Sequence, residues 1–172
     1  MKTFKILLML FVGLSGLSES HAQERSVQEI HSMMVYNFMK YVNWPASSTS
    51  GDFVIGVLGE NKVHETLQKW YGTKSKGSQK IVIKNLSSPS DAGGCHVLYI
   101  GKGKSGDLQA VLSKVSGQST LVITDRQGLG KKGSGINFKT VNGNLKFELN
   151  QAAISSSNLK ISSQLTGMAI II

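Results

Sequence analysis

The chain has 172 residues, a formal net charge of +9 at pH 7 and one cysteine, so it fits one ordinary domain without an intramolecular disulfide. The charge comes from dispersed lysines and only two arginines, whereas recognition of bases and phosphates favours arginine, so we do not expect a nucleic-acid-binding protein. The lysines indicate a solvated face, or attraction to an anionic membrane surface or an acidic partner domain.

A secretory signal peptide is predicted for residues 1–22. A basic start precedes an apolar run over residues 6–14, and Ala22 fits the small residue expected before a cleavage site at Gln23. The apolar run is too short to span a bilayer. We therefore expect an exported protein whose single domain covers residues 23–172.

The first predicted helix covers residues 26–42. Its apolar residues recur every three or four positions, and Ser26 and Glu29 have the spacing of a capping box. Pro45 is expected to end this helix, because proline cannot continue a helix. The short apolar run at residues 52–58 then predicts a buried strand.

Strands and helices alternate in the middle of the chain. Helical spacing predicts a second helix around residues 63–70 and a third over 108–115. Short apolar runs predict strands at 80–84, 95–100 and 120–124. This alternation favours a single-domain α/β sandwich with a mostly parallel, Rossmann-like central sheet and flanking helices.

A β-hairpin is predicted around Asn142-Gly143, because this dipeptide stands between two runs of alternating polarity. A two-residue turn here predicts the pairs Val141 with Asn144, Lys139 with Lys146, Phe138 with Phe147, Asn137 with Glu148, and Ile136 with Leu149. The aromatic and aliphatic pairs should bury one face, and the facing lysines suit an exposed face or edge. Asn150 should then cap a short helix, and the apolar residues 167–172 should pack on the body or add a strand.

The segment Gly101–Gly106 has the spacing G-x-G-x-x-G between a predicted strand and a predicted helix. With Asp125 at the end of the next strand, it fits a dinucleotide-binding loop, in which backbone N–H groups hold the pyrophosphate and the carboxylate binds the ribose. A small-ligand or nucleotide-binding protein that uses this loop is therefore an alternative interpretation. A P-loop is excluded, because Leu98 stands where the first glycine is required.

The sequence shows no pattern typical of catalysis or of metal binding. His31, His64 and His96 lie outside the nucleophile-elbow and metalloprotease motifs. Cys95 and His96 are adjacent on a predicted strand and so point to opposite faces. We expect no enzyme, no cofactor and no metal site, and we expect Cys95 to be a small buried apolar residue.

Several segments stand in an order that is typical of one family of exported proteins. The first helix carries Tyr36-Asn37-Phe38 and is followed by Trp44-Pro45; further segments follow at residues 55–59, 95–100, 121–125, 135–138, 145–150 and 159–165. In this order, over nearly all of residues 23–172, the chain resembles the YfiR family.

The resemblance implies a periplasmic protein that docks on the extracytoplasmic domain of an inner-membrane signalling enzyme and holds it inactive. The client best known for this family is a diguanylate cyclase, and a sensor histidine kinase is the alternative client. The family also implies a homodimer tuned by cysteine oxidation. This chain departs from that pattern, because Cys95 has no second cysteine to pair with.

The candidate partner- or ligand-binding residues are polar positions at the ends of predicted elements, together with one aromatic anchor. They are Asn37, Trp44, Asp125, Asn137, Glu148 and Asn150. Each also has a structural alternative. Asp125 and Asn150 fit turn or cap positions, Asn137 and Glu148 fit a cross-strand pair, and Trp44 fits the core.

Overall fold

The computed structural model describes residues 25–172, and the predicted signal peptide and its cleavage site lie outside the described residues. The helices are α1 (Val27–Tyr41), α2 (Asn61–Tyr71), α3 (Leu108–Lys114), α4 (Gln151–Ser156) and α5 (Ser163–Met168). The strands are β1 (Val42–Asn43), β2 (Phe53–Leu58), β3 (Ser75–Lys76), β4 (Gln79–Leu86), β5 (Val97–Ile100), β6 (Leu121–Thr124), β7 (Ile136–Val141), β8 (Asn144–Leu149), β9 (Lys160–Ile161) and β10 (Ile170–Ile171). Short 3-10 helices cover Ala46–Ser48, Pro89–Ala92, Lys102–Asp107 and Gly130–Lys132.

One eight-stranded sheet dominates the fold, in the order β10-β8-β7-β6-β5-β2-β4-β3. Its central strands β4, β2, β5, β6 and β7 are mutually parallel, β8 returns antiparallel to β7, and β10 adds a parallel edge strand. The predicted α/β fold with a mostly parallel sheet and a hairpin is therefore confirmed. β1 and β9 form a separate antiparallel pair.

Helix α1 begins as the sequence predicts. Ser26 and Glu29 form a complete capping box, in which each side chain accepts a hydrogen bond from the other residue's backbone N–H. The helix ends at Tyr41, earlier than Pro45 suggests, because Val42 is extended and enters strand β1 opposite Ile161.

Helices cover both faces of the sheet, so the core has two parts. The first packs α1, α2, α4 and α5 against one face, and the second packs α3 against the other. Strand β5 serves both parts, because Val97 and Tyr99 point into the first and Leu98 and Ile100 into the second. This arrangement explains why the strand is apolar along its whole length.

The β7–β8 hairpin has the predicted register, including Phe138 opposite Phe147. Both turn residues have positive φ, +50° at Asn142 and +76° at Gly143, as a tight two-residue hairpin requires. The apolar pairs are buried as expected.

The polar face of the hairpin differs from the exposed face that we expected. Asn137 is fully buried and Glu148 is 6% exposed. The turn at Gly130 and the side chain of Ile172 lie over this face, because a Cβ on Gly130 would stand 2.8 Å from Glu148 Oε2 and 2.7 Å from Ile172 Cδ1. The lysine pair farther along, Lys139 and Lys146, keeps contact with solvent.

Within the part of the chain that the structure describes, no helix has the length and apolar character needed to cross a membrane.

Candidate functional site

The chain order of the sheet reverses between β2 and β5, because the parallel strand β4 pairs with one side of β2 and the next strand in sequence, β5, pairs with the other. The crevice at the carboxyl ends of two such strands is the usual ligand site of open parallel sheets. Here the loops that follow the two strands pack on each other. A Cβ on Gly101 would lie 2.7 Å from both Gly59 O and Glu60 Cβ. Glycine at position 101 therefore allows two loops to touch.

The Gly101–Gly106 segment does not form the predicted phosphate-binding loop. Residues Lys102–Asp107 fold into a 3-10 helix, in which the N–H of Lys104 donates to Gly101 O at 2.9 Å. Helix α3, which follows, has only seven residues. Loop packing thus explains one glycine of the motif, Gly101, and the dinucleotide interpretation is not supported by the conformation.

A hydrogen-bonded chain of three side chains lies beside these loops, at the carboxyl ends of β5 and β6. Tyr99 Oη donates to Asp125 Oδ2 at 2.9 Å, and His31 Nδ1 lies 2.9 Å from the same hydroxyl. Because the Tyr99 hydroxyl donates its proton to Asp125, the same hydroxyl accepts a hydrogen bond from a protonated Nδ1 of His31. The His31 ring also stacks on Phe138, with ring centroids 4.0 Å apart.

The two outer atoms of this chain, His31 Nε2 and Asp125 Oδ1, are buried without a hydrogen-bond partner among the described residues. Burial lowers the pKa of His31 to about 4, so the ring is neutral at pH 7. Burial also raises the pKa of Asp125; Glu60 acts in the same direction, while Tyr99 and Lys102 act against it. Burial and the neighbouring Asp125 carboxylate raise the pKa of Tyr99, which stays protonated.

A cleft of about 660 Å³ opens beside His31 and Asp125. The start of α1, the hairpin and the loops after β2, β5 and β6 form its walls. Its charged lining residues are Glu60, Lys102, Asp125, Arg126 and Lys139. The cleft therefore combines buried acceptors with cationic side chains, and we call it the His31 cleft.

Three predicted site residues meet on the covered face of the hairpin. Asn137 Nδ2 donates to Glu148 Oε2 at 2.9 Å, and Lys139 forms an ion pair with Glu148 at 3.1 Å. Asn150 donates to Gly130 O at 2.9 Å and caps α4 by accepting from the N–H of Ala153. These contacts give the three residues the structural roles of a cross-strand pair and a cap.

The remaining predicted residues lie apart from this group. Asn37 is exposed on α1 and accepts a hydrogen bond from Lys40. Trp44 packs edge-on against Phe53 and donates its indole N–H to Ser119 O at 2.9 Å. It is therefore a half-buried part of the core boundary, at the opposite end of the strands from Asp125.

Cys95 is 3% exposed, which confirms its predicted burial. Burial also raises the pKa of its thiol, so the thiolate is disfavoured.

Sequence reasoning did not identify His31 and Tyr99 as site residues. His31 stands on an amphipathic helix 68 positions away from Tyr99, a contact that local periodicity does not reveal. One signal was present. Tyr99 is the only polar-tipped residue in the strand Val97–Ile100, and a buried tyrosine hydroxyl needs a partner.

Strand β10 forms an apolar outer edge of the sheet. Met168, Ile170, Ile171 and Ile172 are 53%, 36%, 43% and 36% exposed. β10 pairs with β8 on one side, and among residues 25–172 no strand pairs with its other side. We call these four residues the β10 edge. An exposed apolar edge is a template for pairing with another chain.

The comparisons with known proteins agree with this fold. A conserved domain protein from Vibrio cholerae has a similar crystal structure, with a TM-score of 0.52 and 14% sequence identity. The alignment covers 86% of this chain and 60% of that protein, so the likeness concerns the fold alone. No curated protein matches the chain. A family model described as DUF4154, YfiR/HmsC-like, matches residues 28–170. The chain therefore belongs to the YfiR/HmsC-like family, a regulatory family whose members in general act on diguanylate cyclases in the periplasm.

Proposed function

We propose that this chain is an exported, non-enzymatic regulator that binds the periplasmic domain of an inner-membrane signalling protein and represses it. The client is a diguanylate cyclase or, as the alternative, a sensor histidine kinase. Family membership over residues 28–170 supports the regulatory role. The β10 edge is the observation on this molecule that carries the binding role.

The β10 edge suits a protein partner for two reasons. Its exposed apolar residues are concentrated in one short segment, Met168 and Ile170–Ile172, whereas isolated exposed apolar residues are ordinary on any surface. Its unpaired backbone groups can also accept a strand from a partner, so that main-chain hydrogen bonds supply affinity and side-chain contacts supply specificity.

Repression requires that the chain bind the inactive state of its client more tightly than the active state. The shift in the client's equilibrium cannot exceed this difference in affinity. A contact surface alone therefore accounts for the proposed activity, and no chemical step by the regulator is needed.

The test is a pull-down from membrane extracts of the source bacterium on the immobilised chain, residues 23–172, with mass spectrometry of the retained proteins. We expect enrichment of one membrane protein that carries a cyclase or kinase domain. Ile171→Lys should abolish this retention, because it places a charge in the apolar contact.

Ala110→Lys is the matched control, since it adds the same charge at an exposed position on α3, away from the edge. It should retain the client like the unmodified chain. The proposal is wrong if no cyclase or kinase is retained, or if both lysine variants retain it equally.

A further inference from the structure

We propose that the His31 cleft is a binding site for a small zwitterion, in which a primary ammonium group donates to His31 Nε2 and Asp125 Oδ1 and an anionic group contacts Lys102. The inference goes beyond the proposed function. The cleft lining includes none of the residues of the β10 edge.

The hydrogen bonds among His31, Tyr99 and Asp125 run in one direction. Tyr99 donates to Asp125, and His31 donates its Nδ1 proton to Tyr99, so His31 Nε2 carries a lone pair. Asp125 Oδ1 is also an acceptor. Both atoms at the ends of the chain therefore require donors, and they find none among the described residues.

Leaving His31 Nε2 and Asp125 Oδ1 unpaired lowers the stability of the folded chain. A buried acceptor without a partner costs about 1–3 kcal/mol. His31 is 4% exposed, and its Nε2 is covered from solvent. A ligand that brings several N–H donors recovers this cost, and a primary ammonium brings three.

The charged residues that line the cleft also favour a zwitterion. Asp125 and Glu60 both place negative charge in the cleft. The two carboxylates interact, since Glu60 raises the pKa of Asp125. They favour a cationic group at the buried acceptors. Lys102 lines the same cleft and forms no ion pair within residues 25–172, so it favours an anionic group at the rim.

Lys139 is paired with Glu148, and Arg126 is held by a hydrogen bond of 2.8 Å to Ser105 Oγ, which leaves its charge unpaired. Among residues 25–172, Lys102 is the cationic lining residue without a side-chain partner. Lys102 is therefore assigned to the anionic end of the ligand.

Size does not limit such a ligand, because the cleft holds about 660 Å³. The two acceptors are covered from solvent, so a side chain of the cleft wall must move aside when the ammonium group enters. A ligand that binds only the folded chain should stabilise it by an amount that grows with the logarithm of the ligand concentration once this exceeds Kd.

The test compares ligands of the same charge, in which a primary ammonium group is replaced by a trimethylammonium group that is bulkier and has no N–H donor. O-phosphoethanolamine and β-alanine carry a primary ammonium, whereas phosphocholine and β-alanine betaine have the same charges with three methyl groups on nitrogen. Isothermal titration and thermal unfolding of the chain are measured with each of the four. We expect at least one primary amine to bind at least tenfold more tightly than its trimethyl counterpart.

Substitutions locate the site. Asp125→Asn should weaken binding at least tenfold, because it removes the charge and one acceptor, and Lys102→Gln should weaken it several-fold. Asp52→Asn is the control, since it removes an exposed carboxylate outside the cleft and should leave the affinity unchanged. Circular dichroism establishes that each variant is folded.

Two outcomes would overturn the proposal. One is that none of the four compounds binds, or that the trimethyl compounds bind equally well. The other is that folded Asp125→Asn binds like the unmodified chain. If O-phosphoethanolamine binds, co-flotation with phosphatidylethanolamine vesicles identifies a lipid headgroup as its source, and binding of the soluble compound alone identifies a free metabolite.

Discussion

Tyr99 places one hydroxyl in an otherwise apolar strand, and this hydroxyl organises the polar groups around it. It connects Asp125, which follows the neighbouring strand, with His31 on the helix above. A phenylalanine at this position would fill the same space, but it would leave His31 and Asp125 without their shared partner. The tyrosine therefore fixes the tautomer of His31 and the orientation of the carboxylate.

The first prediction concerns the pH dependence of stability. The pKa of His31 is about 4 in the folded chain and 6.5 when unperturbed, so the unfolded state binds more protons between these values. Stability should consequently fall as pH decreases from about 6.5 to about 4, by up to about 3 kcal/mol from this residue. Urea unfolding at pH 7 and pH 4.5 measures the loss.

His31→Gln is the matched variant, because glutamine keeps a donor and an acceptor but does not titrate in this range. It should lose about 2 kcal/mol less than the unmodified chain between the two pH values. Asp125 contributes with the opposite sign, since its raised pKa favours the folded state at low pH, and this contribution is common to both proteins. Equal losses in the two proteins would show that His31 is not the responsible group.

At the scale of elements, the loops after β2 and β5 explain a glycine pattern that resembles a ligand-binding motif. Gly101 is needed because the backbone of Gly59 lies against it, whereas Gly106 faces open space. The motif G-x-G-x-x-G thus combines one glycine required by packing with others that packing does not require. Spacing alone cannot separate these cases.

The second prediction uses these two glycines as a matched pair. Gly101→Ala should destabilise the chain by about 1–3 kcal/mol, because the new Cβ lies 2.7 Å from Gly59 O and the loops must separate. Gly106→Ala should be neutral or stabilising by a few tenths of a kcal/mol, since it restricts the unfolded chain without a clash. The midpoints of denaturant unfolding of the two variants are compared with that of the unmodified chain. Equal effects would contradict the packing explanation.

Elements with strong local signals could be predicted from the sequence. The capping box at Ser26 and Glu29 fixed the start of α1, and the turn Asn142-Gly143 fixed the hairpin register. The β1–β9 pair was not predicted, because two-residue strands carry no periodicity. The burial of Asn137 was missed for a different reason. Alternation shows which residues share a face, but it does not show that a distant turn covers that face.

The candidate site was harder to predict than the fold. Asp125 was identified because it ends a strand, but its partners come from α1 and β5, and only the assembled sheet brings them together. The polar residues at the hairpin were identified as contacts, and their hydrogen bonds give them structural roles.

At the scale of the whole molecule, we propose separate roles for two surfaces. The β10 edge is proposed to bind the client, and the His31 cleft is proposed to bind a small zwitterion. Strand β8 connects them, because it pairs with β10 at Glu148 and Leu149 and contributes Leu145 to the cleft wall. A ligand in the cleft can influence client binding only if it binds one state of this strand more tightly.

Repression of the signalling protein that the chain binds can be measured as enzyme activity. The most direct test is the rate of product formation by the captured cyclase or kinase in membranes, with and without added chain. We predict that the unmodified chain and Ala110→Lys lower the rate and that Ile171→Lys leaves it unchanged. A rate that stays constant or rises while the chain is bound would show that the chain does not repress its client.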